Sequence, residues 1–177
     1  MCGGSYSSDY TGQTENGGQG SQYIATLNYR NKIQQYIDQT GTVENNGFLA
    51  ATGIMTIYLA IFDTDMYGSI PYTEAAHYDD KGILTPKYEK VEDLYDLWIE
   101  ELNNYITMLQ AGDLVSFKGQ DAAYGCDWKK WARFANSLKL KIAARLYNNE
   151  PAKAMQLVEE AASNKAGLMT STDDDFL

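Results

Sequence analysis

One stretch of this chain restricts its fold more than any other. Between Phe48 and Phe62 the sequence reads FLAATGIMTIYLAIF, with no charged residue. A surface helix carries its apolar residues on one stripe, so a segment apolar on nearly every side belongs inside a bundle, surrounded by other helices. Its apolar stretch, broken by Thr52, Gly53 and Thr56, is expected to be too short to cross a bilayer, which needs about 20 residues. The helix is placed at about residues 43–65.

The flanking segments supply the partners. Tyr29, Ile33, Tyr36 and Ile37 set an apolar stripe on a helix over about residues 21–39, stopped by Gly41. A third helix starts near Val91, where Leu94, Tyr95, Trp98, Leu102, Tyr105, Ile106 and Leu109 recur at three- and four-residue steps up to Gly112. A fourth opens on Asp127 as N-cap, its carboxylate placed to accept first-turn amides. Its inner face is Trp131, Phe134, Ala135, Leu138, Ile142 and Leu146, with Lys129, Lys130, Arg133, Lys139, Lys141 and Arg145 around the rest. A fifth has Pro151 in its first turn and runs through Leu157, Val158 and Ala161 toward Gly167. No alternating β-branched run reads as a strand. The fold class is therefore all-α. The last two helices form a tetratricopeptide-like hairpin, of about the tetratricopeptide period but without its consensus, joined by a short turn around residues 148–151, while a long ordered loop over about residues 66–90 joins the second helix to the third. Residues 1–22 have Gly/Ser-rich loop composition, and residues 23–177 form the helical domain.

Charge and composition exclude several functions. The net charge is −10, with 14 Lys and Arg against 24 Asp and Glu, which argues against nucleic acid as a partner. Two cysteines, Cys2 and Cys126, make neither a disulfide framework nor a zinc knuckle. The start of the chain has no basic region followed by an apolar run, so no signal peptide is read there, and Cys2 is taken as a cysteine inside a truncated chain. His77 is the only histidine, and no nucleophile elbow, His-Glu-x-x-His or phosphate loop accompanies it. The carboxylate pairs Glu100–Glu101 and Glu159–Glu160 are read as solvated faces, and the acidic run TDDDF as a helix cap, a cation ligand or an exposed turn. No catalytic residues, cofactor or metal site are expected.

The stretch DTDMYGSIPYTEAA tests that last expectation. Asp63, Asp65, Gly68 and Glu74 fall at positions one, three, six and twelve of a calcium loop. Position five is Tyr67 and position nine is Pro71, neither of which offers a carboxylate, and Pro71-Tyr72 is an extended pair where a helix should begin. A structural turn is the better reading: Tyr67 and Tyr72 pack beneath the loop, Pro71 sets its direction, and Glu74 anchors backbone amides or caps a short helical turn before Ala75-Ala76.

Two motifs in fixed order carry a resemblance. The run from Tyr67 to Ala75, and Lys130-Trp131 followed by Phe134 to Leu138, resemble the SusD/RagB family over about residues 21–177. The resemblance implies an all-α, tetratricopeptide-containing, surface-exposed lipoprotein of the outer membrane. It implies a non-enzymatic role, capturing an oligo- or polysaccharide for a SusC-like TonB-dependent transporter, with membrane contact only through a lipid anchor that this chain lacks. Members usually run to several hundred residues, so the chain is read as an N-terminal-half fragment. Within it, Asn136 and Ser137 are expected to hydrogen-bond across a helix pair. Loop aromatics Tyr6, Tyr10, Tyr124 and Trp128 are the candidates for stacking on sugar rings, Trp128 foremost. The alternative is a tetratricopeptide-type scaffold that binds protein and no sugar.

Overall fold

A computed structural model describes residues 22–175. Residues 1–21, including Cys2, Tyr6 and Tyr10, lie outside them. The helices are α1 (Gln22–Thr40), α2 (Asn46–Tyr67), the short α3 (Tyr78–Lys81), α4 (Val91–Gln110), α5 (Trp128–Leu146) and α6 (Pro151–Ser163). Among the described residues the only β-pairing is one antiparallel bridge, Ile70 to Glu89. The architecture is all-α.

α2 is the hub. It packs against α1, α4 and α5, while α4 also meets α5, and α5 meets α6. Leu49, Ala50, Ile54, Ile57, Ala60 and Ile61 are all buried. Its two buried threonines satisfy their hydroxyls on the helix's own carbonyls, Thr56 on Thr52 at 2.8 Å and Thr64 on Ile61 at 2.9 Å. Together with the 3-10 turn Val43–Asn45, it is long and apolar enough to cross a membrane. Length therefore does not exclude a span, contrary to the sequence reading. Packing assigns it to the core, since 61% of its most apolar window is buried in the fold. Tyr105 of α4 reaches its backbone through Gly53: a Cβ there would sit 2.3 Å from the Tyr105 ring.

α1 presents a different face from the expected one. Tyr23, Ile24, Leu27 and Asn31 are buried along with Ile37, whereas Tyr29 and Tyr36 are 64% and 53% exposed. At about 100° per residue, Tyr29 lies about 120° around the helix from Tyr23, and Tyr36 returns almost to the line of Tyr29. The helix thus carries two apolar lines, and the one beginning at Tyr23 meets the loop after α2.

That loop is tied down by side chains. Tyr72 is buried, stacked on Tyr23 at 6.3 Å and edge-on to Trp98 at 5.5 Å. Its hydroxyl donates to Glu101 at 2.8 Å, and Glu101 pairs with Arg30 at 2.9 Å. Burial alone would oppose the Arg30 charge, but the surrounding Tyr72, Tyr105 and Glu101 hold its pKa above the ordinary value. Glu101 is therefore not part of a solvated face, although Glu100 is exposed. Glu89 accepts the amides of Tyr72 and Thr73 at 2.9 and 2.7 Å, and Glu74 accepts that of Lys87 at 3.0 Å. Tyr67, expected beneath the loop, is 66% exposed, because it ends α2 just before the turn at Gly68. Asp63 and Asp65 lie within α2, not in a loop, and Asp65 pairs with Arg145.

α5 follows the sequence reading closely. Asp127 caps it, accepting from Lys129 and Lys130 amides at 3.1 and 3.2 Å. Asn136 donates to the carbonyls of Ala161 and Gly167, both at 2.8 Å, and the Ser137 hydroxyl accepts the Met169 amide at 2.9 Å. These bonds hold the segment after α6, which ends at Ser163, short of Gly167. Lys139 departs from the expected solvated arc. It is 1% exposed and its ammonium donates to Asn103 at 2.8 Å, with burial lowering its pKa. Its long stem crosses the apolar contact with α4 to reach that oxygen.

Trp131 is 4% exposed, as its place on the inner face requires. Its partners are Tyr124 and Phe134, and its indole donates to Asp121 at 2.8 Å. It sits against the turn before α5. Asp121 organises that turn, accepting the amides of Ala123, Tyr124 and Cys126 at 2.9, 3.2 and 2.8 Å. Burial raises the Asp121 pKa, but the Trp131 indole and these amides outweigh it, so the carboxyl stays below its ordinary value. The TDDDF run is not simply an exposed turn either: Asp174 is buried, accepting the Thr170 amide at 3.0 Å and pairing with Arg133.

Gly53→Ala is expected to destabilise the fold by about 1–3 kcal/mol through overpacking against Tyr105, despite the better helix propensity of alanine. A denaturant midpoint at or above wild type would contradict the close approach. The lowered Asp121 pKa contributes stability that is complete above about pH 4 and lost as pH falls through the native value. Asp121→Asn should lower the midpoint at neutral pH and flatten the acid limb of a stability–pH curve; an unchanged acid limb would show that the carboxylate contributes nothing there.

Candidate aromatic groove

Three adjoining concavities run across one side of the molecule. The first, about 780 Å³, lies between the end of α4, the start of α5 and Lys165–Ala166. The second, about 280 Å³, lies between α2 and the turn at Asp121. The third, about 730 Å³, lies along the outer face of α1 and the 112–120 loop. Trp128 lines the first and second; Phe48, Thr52 and Gln120 line the second and third. The three therefore share walls and form one interrupted groove.

The Asp127 cap places Trp128 in the first turn of α5, half-buried at the junction. Its indole lies over Gly47, where a Cβ would come within 2.7 Å, and edge-on to Phe48 at 5.4 Å. Part of the ring is thus committed to the fold. The cations Lys129, Arg133 and Lys165 line the first concavity beside it, on a chain of strongly negative net charge.

Tyr124 is engaged within the fold. Its hydroxyl donates to the Asp174 carbonyl at 2.7 Å, its ring meets Trp131 edge-on at 5.2 Å, and the Lys130 ammonium lies 6.0 Å from its centroid. Burial, followed by the negative charges of Asp174, Asp175 and Asp121, pushes the hydroxyl pKa up to about 12. It lines none of the three concavities. The structure therefore brings Trp128 to the groove, leaves Tyr124 in the supporting wall, and says nothing of Tyr6 and Tyr10.

The sequence reading missed Tyr29, Tyr36 and Phe117, which are exposed in the third concavity. Assigning Tyr29 and Tyr36 to the core hid them. The signal that separates them is the competing apolar line Tyr23–Ile24–Leu27, which starts about 120° around the helix from Tyr29. The loop bearing Phe117 is fixed in place by the Val115 amide donating to the Glu44 carbonyl at 2.9 Å and by Phe117 stacking on Phe48 at 5.9 Å.

His77 does not join this groove. Its ring nitrogens lie 2.8 Å from Asp80 and 3.3 Å from Asn31 of α1, and it lines none of the three concavities.

Comparison with known proteins places this architecture. The sequence matches the SusD-like family described as starch-binding, associating with outer membrane, over residues 6–177. A SusD homologue from Bacteroides uniformis is 29% identical, with a TM-score of 0.72, covering 84% of this chain and 30% of its own. A Bacteroidetes SusD-like protein is 30% identical, with a TM-score of 0.72, covering 87% of this chain and 27% of its own. A chitin-binding protein is 32% identical, with a TM-score of 0.66, covering 85% of this chain and 33% of its own. Comparison with curated protein sequences returned no match. The chain spans about a third or less of these solved relatives. The chain therefore belongs to the SusD-like family.

Proposed function

We propose that this chain is part of a non-enzymatic, glycan-binding component of an outer-membrane nutrient uptake system. In this reading it works at the cell surface with a TonB-dependent transporter of the SusC type. The family's association with starch and the outer membrane supports the reading, as does a 32%-identical relative described as chitin-binding. The observation that carries it in this molecule is Trp128, an aromatic set in a concave surface between two cavities, which suits the apolar C–H face of a sugar ring. Capture needs no acid–base pair, and His77, the chain's one histidine, is occupied by Asp80 and Asn31 away from the groove. The acidic chain does not suit a polyphosphate partner.

Calorimetric titration with soluble chitin- and starch-derived oligosaccharides tests this reading. Trp128→Ala should weaken binding by about tenfold, the scale of one lost aromatic contact. Because the indole also packs on Gly47 and Phe48, the same change should cost about 1–3 kcal/mol of stability. Trp128→Tyr, which keeps an aromatic face, should recover part of both. Unchanged affinity in a folded Trp128→Ala protein would remove Trp128 from the site. Peptide binding without any sugar binding would favour the scaffold reading.

A further inference from the structure

We propose that the outer face of α1, together with the Phe117 loop, is a second carbohydrate platform, which takes a linear, uncharged oligosaccharide longer than a disaccharide. The inference rests on the glycan-binding reading and extends it to a surface away from Trp128. Tyr29 and Tyr36 stand on one line of a rigid helix, two turns and about 10 Å apart. Both rings are more than half exposed, so their faces are open to a ligand. Phe117, 57% exposed and stacked on Phe48, forms the opposite wall.

The rim chemistry favours an uncharged polyol. Lys32, Glu44, Asn45 and Gln120 line the groove, and their side chains have no hydrogen-bond or ion-pair partner among the described residues. They offer donors and acceptors to hydroxyl groups, and the single cation and single anion balance on a chain whose net charge is −10. Flat apolar faces ringed by a few polar groups are what a sugar site requires. The backbone bond from Val115 to Glu44 ties the Phe117 loop to the turn that follows α1, which lowers the ordering needed on binding.

Continuity sets the ligand length. Thr26, about one turn before Tyr29, lines the second concavity together with Trp128, and Phe48, Thr52 and Gln120 are common to both. A chain stacked on Tyr36 and Tyr29 therefore continues toward Trp128. Separate aromatic platforms joined along one chain should make affinity rise with chain length.

Titrations with chitobiose, chitohexaose, maltose and maltohexaose test this. Wild type should bind one hexaose more tightly than its disaccharide. Tyr29→Ala/Tyr36→Ala should reduce hexaose affinity by about tenfold or more, toward the disaccharide level, with an unchanged thermal midpoint because both side chains are exposed. Undiminished hexaose affinity in the double variant would overturn the platform and leave the Trp128 reading standing. No binding of any of the four sugars by wild type would overturn both. Unchanged sugar binding, with a loss of self-association by sedimentation in the double variant, would also overturn the platform and make this face a protein contact.

Discussion

The burial of α2 is the constraint on which everything else depends. An apolar helix with no polar side must be enclosed, and α1, α4 and α5 enclose it. Leu49, Ile54, Ile57 and Ile61 are each at most 2% exposed. At about 1.5–3 kcal/mol for each such side chain, they contribute roughly 6–12 kcal/mol as an upper estimate, comparable to the whole net stability of a domain. Gly47 and Gly53 on the same helix let Trp128 and Tyr105 come up against its backbone. The hub therefore fixes the position of α5's first turn as well as the core.

A polar clamp completes the enclosure. The loop after α2 cannot pack by apolar contact alone, because it must turn through an extended segment rich in backbone donors. Glu89 takes two of those amides, and Tyr72 carries the loop into the core with its hydroxyl on Glu101. Arg30 closes the network from α1. Within the run from Tyr67 to Ala75, Tyr72 and Glu74 are thus architectural. The interrupted aromatic groove follows from the same layout. α1 commits one face to the hub and the clamp, which leaves Tyr29 and Tyr36 on the other.

The helices were legible in the sequence because their signals are local. Asp127 before the aromatic stripe of α5, Pro151 opening α6 and the three- and four-residue steps of α4 each define an element within a few turns. What was not legible depends on partners distant in sequence. α1 has two apolar lines, and only the loop carrying Tyr72 decides which one turns inward. Lys139 is buried because Asn103, on another helix, offers an oxygen at the right depth. Glu101 leaves its solvated face because Arg30 and Tyr72 meet it there. Asp174 folds inward onto Arg133 for the same kind of reason. Trp128 was placed on a helix's first turn by the Asp127 cap and does line the groove, whereas the outward turn of Tyr29 and Tyr36 was hidden by the choice of core face for α1.

Native-state hydrogen exchange tests the central claim, that α2 is the element on which the fold depends. Amides of Ala50 to Ile61 should be the slowest in the molecule and exchange only through global unfolding, while those of α6 and the 112–120 loop open locally at lower free energy. If α2 amides exchanged as readily as those of α6, with α5 and α6 retaining the highest protection, the hub account would be wrong.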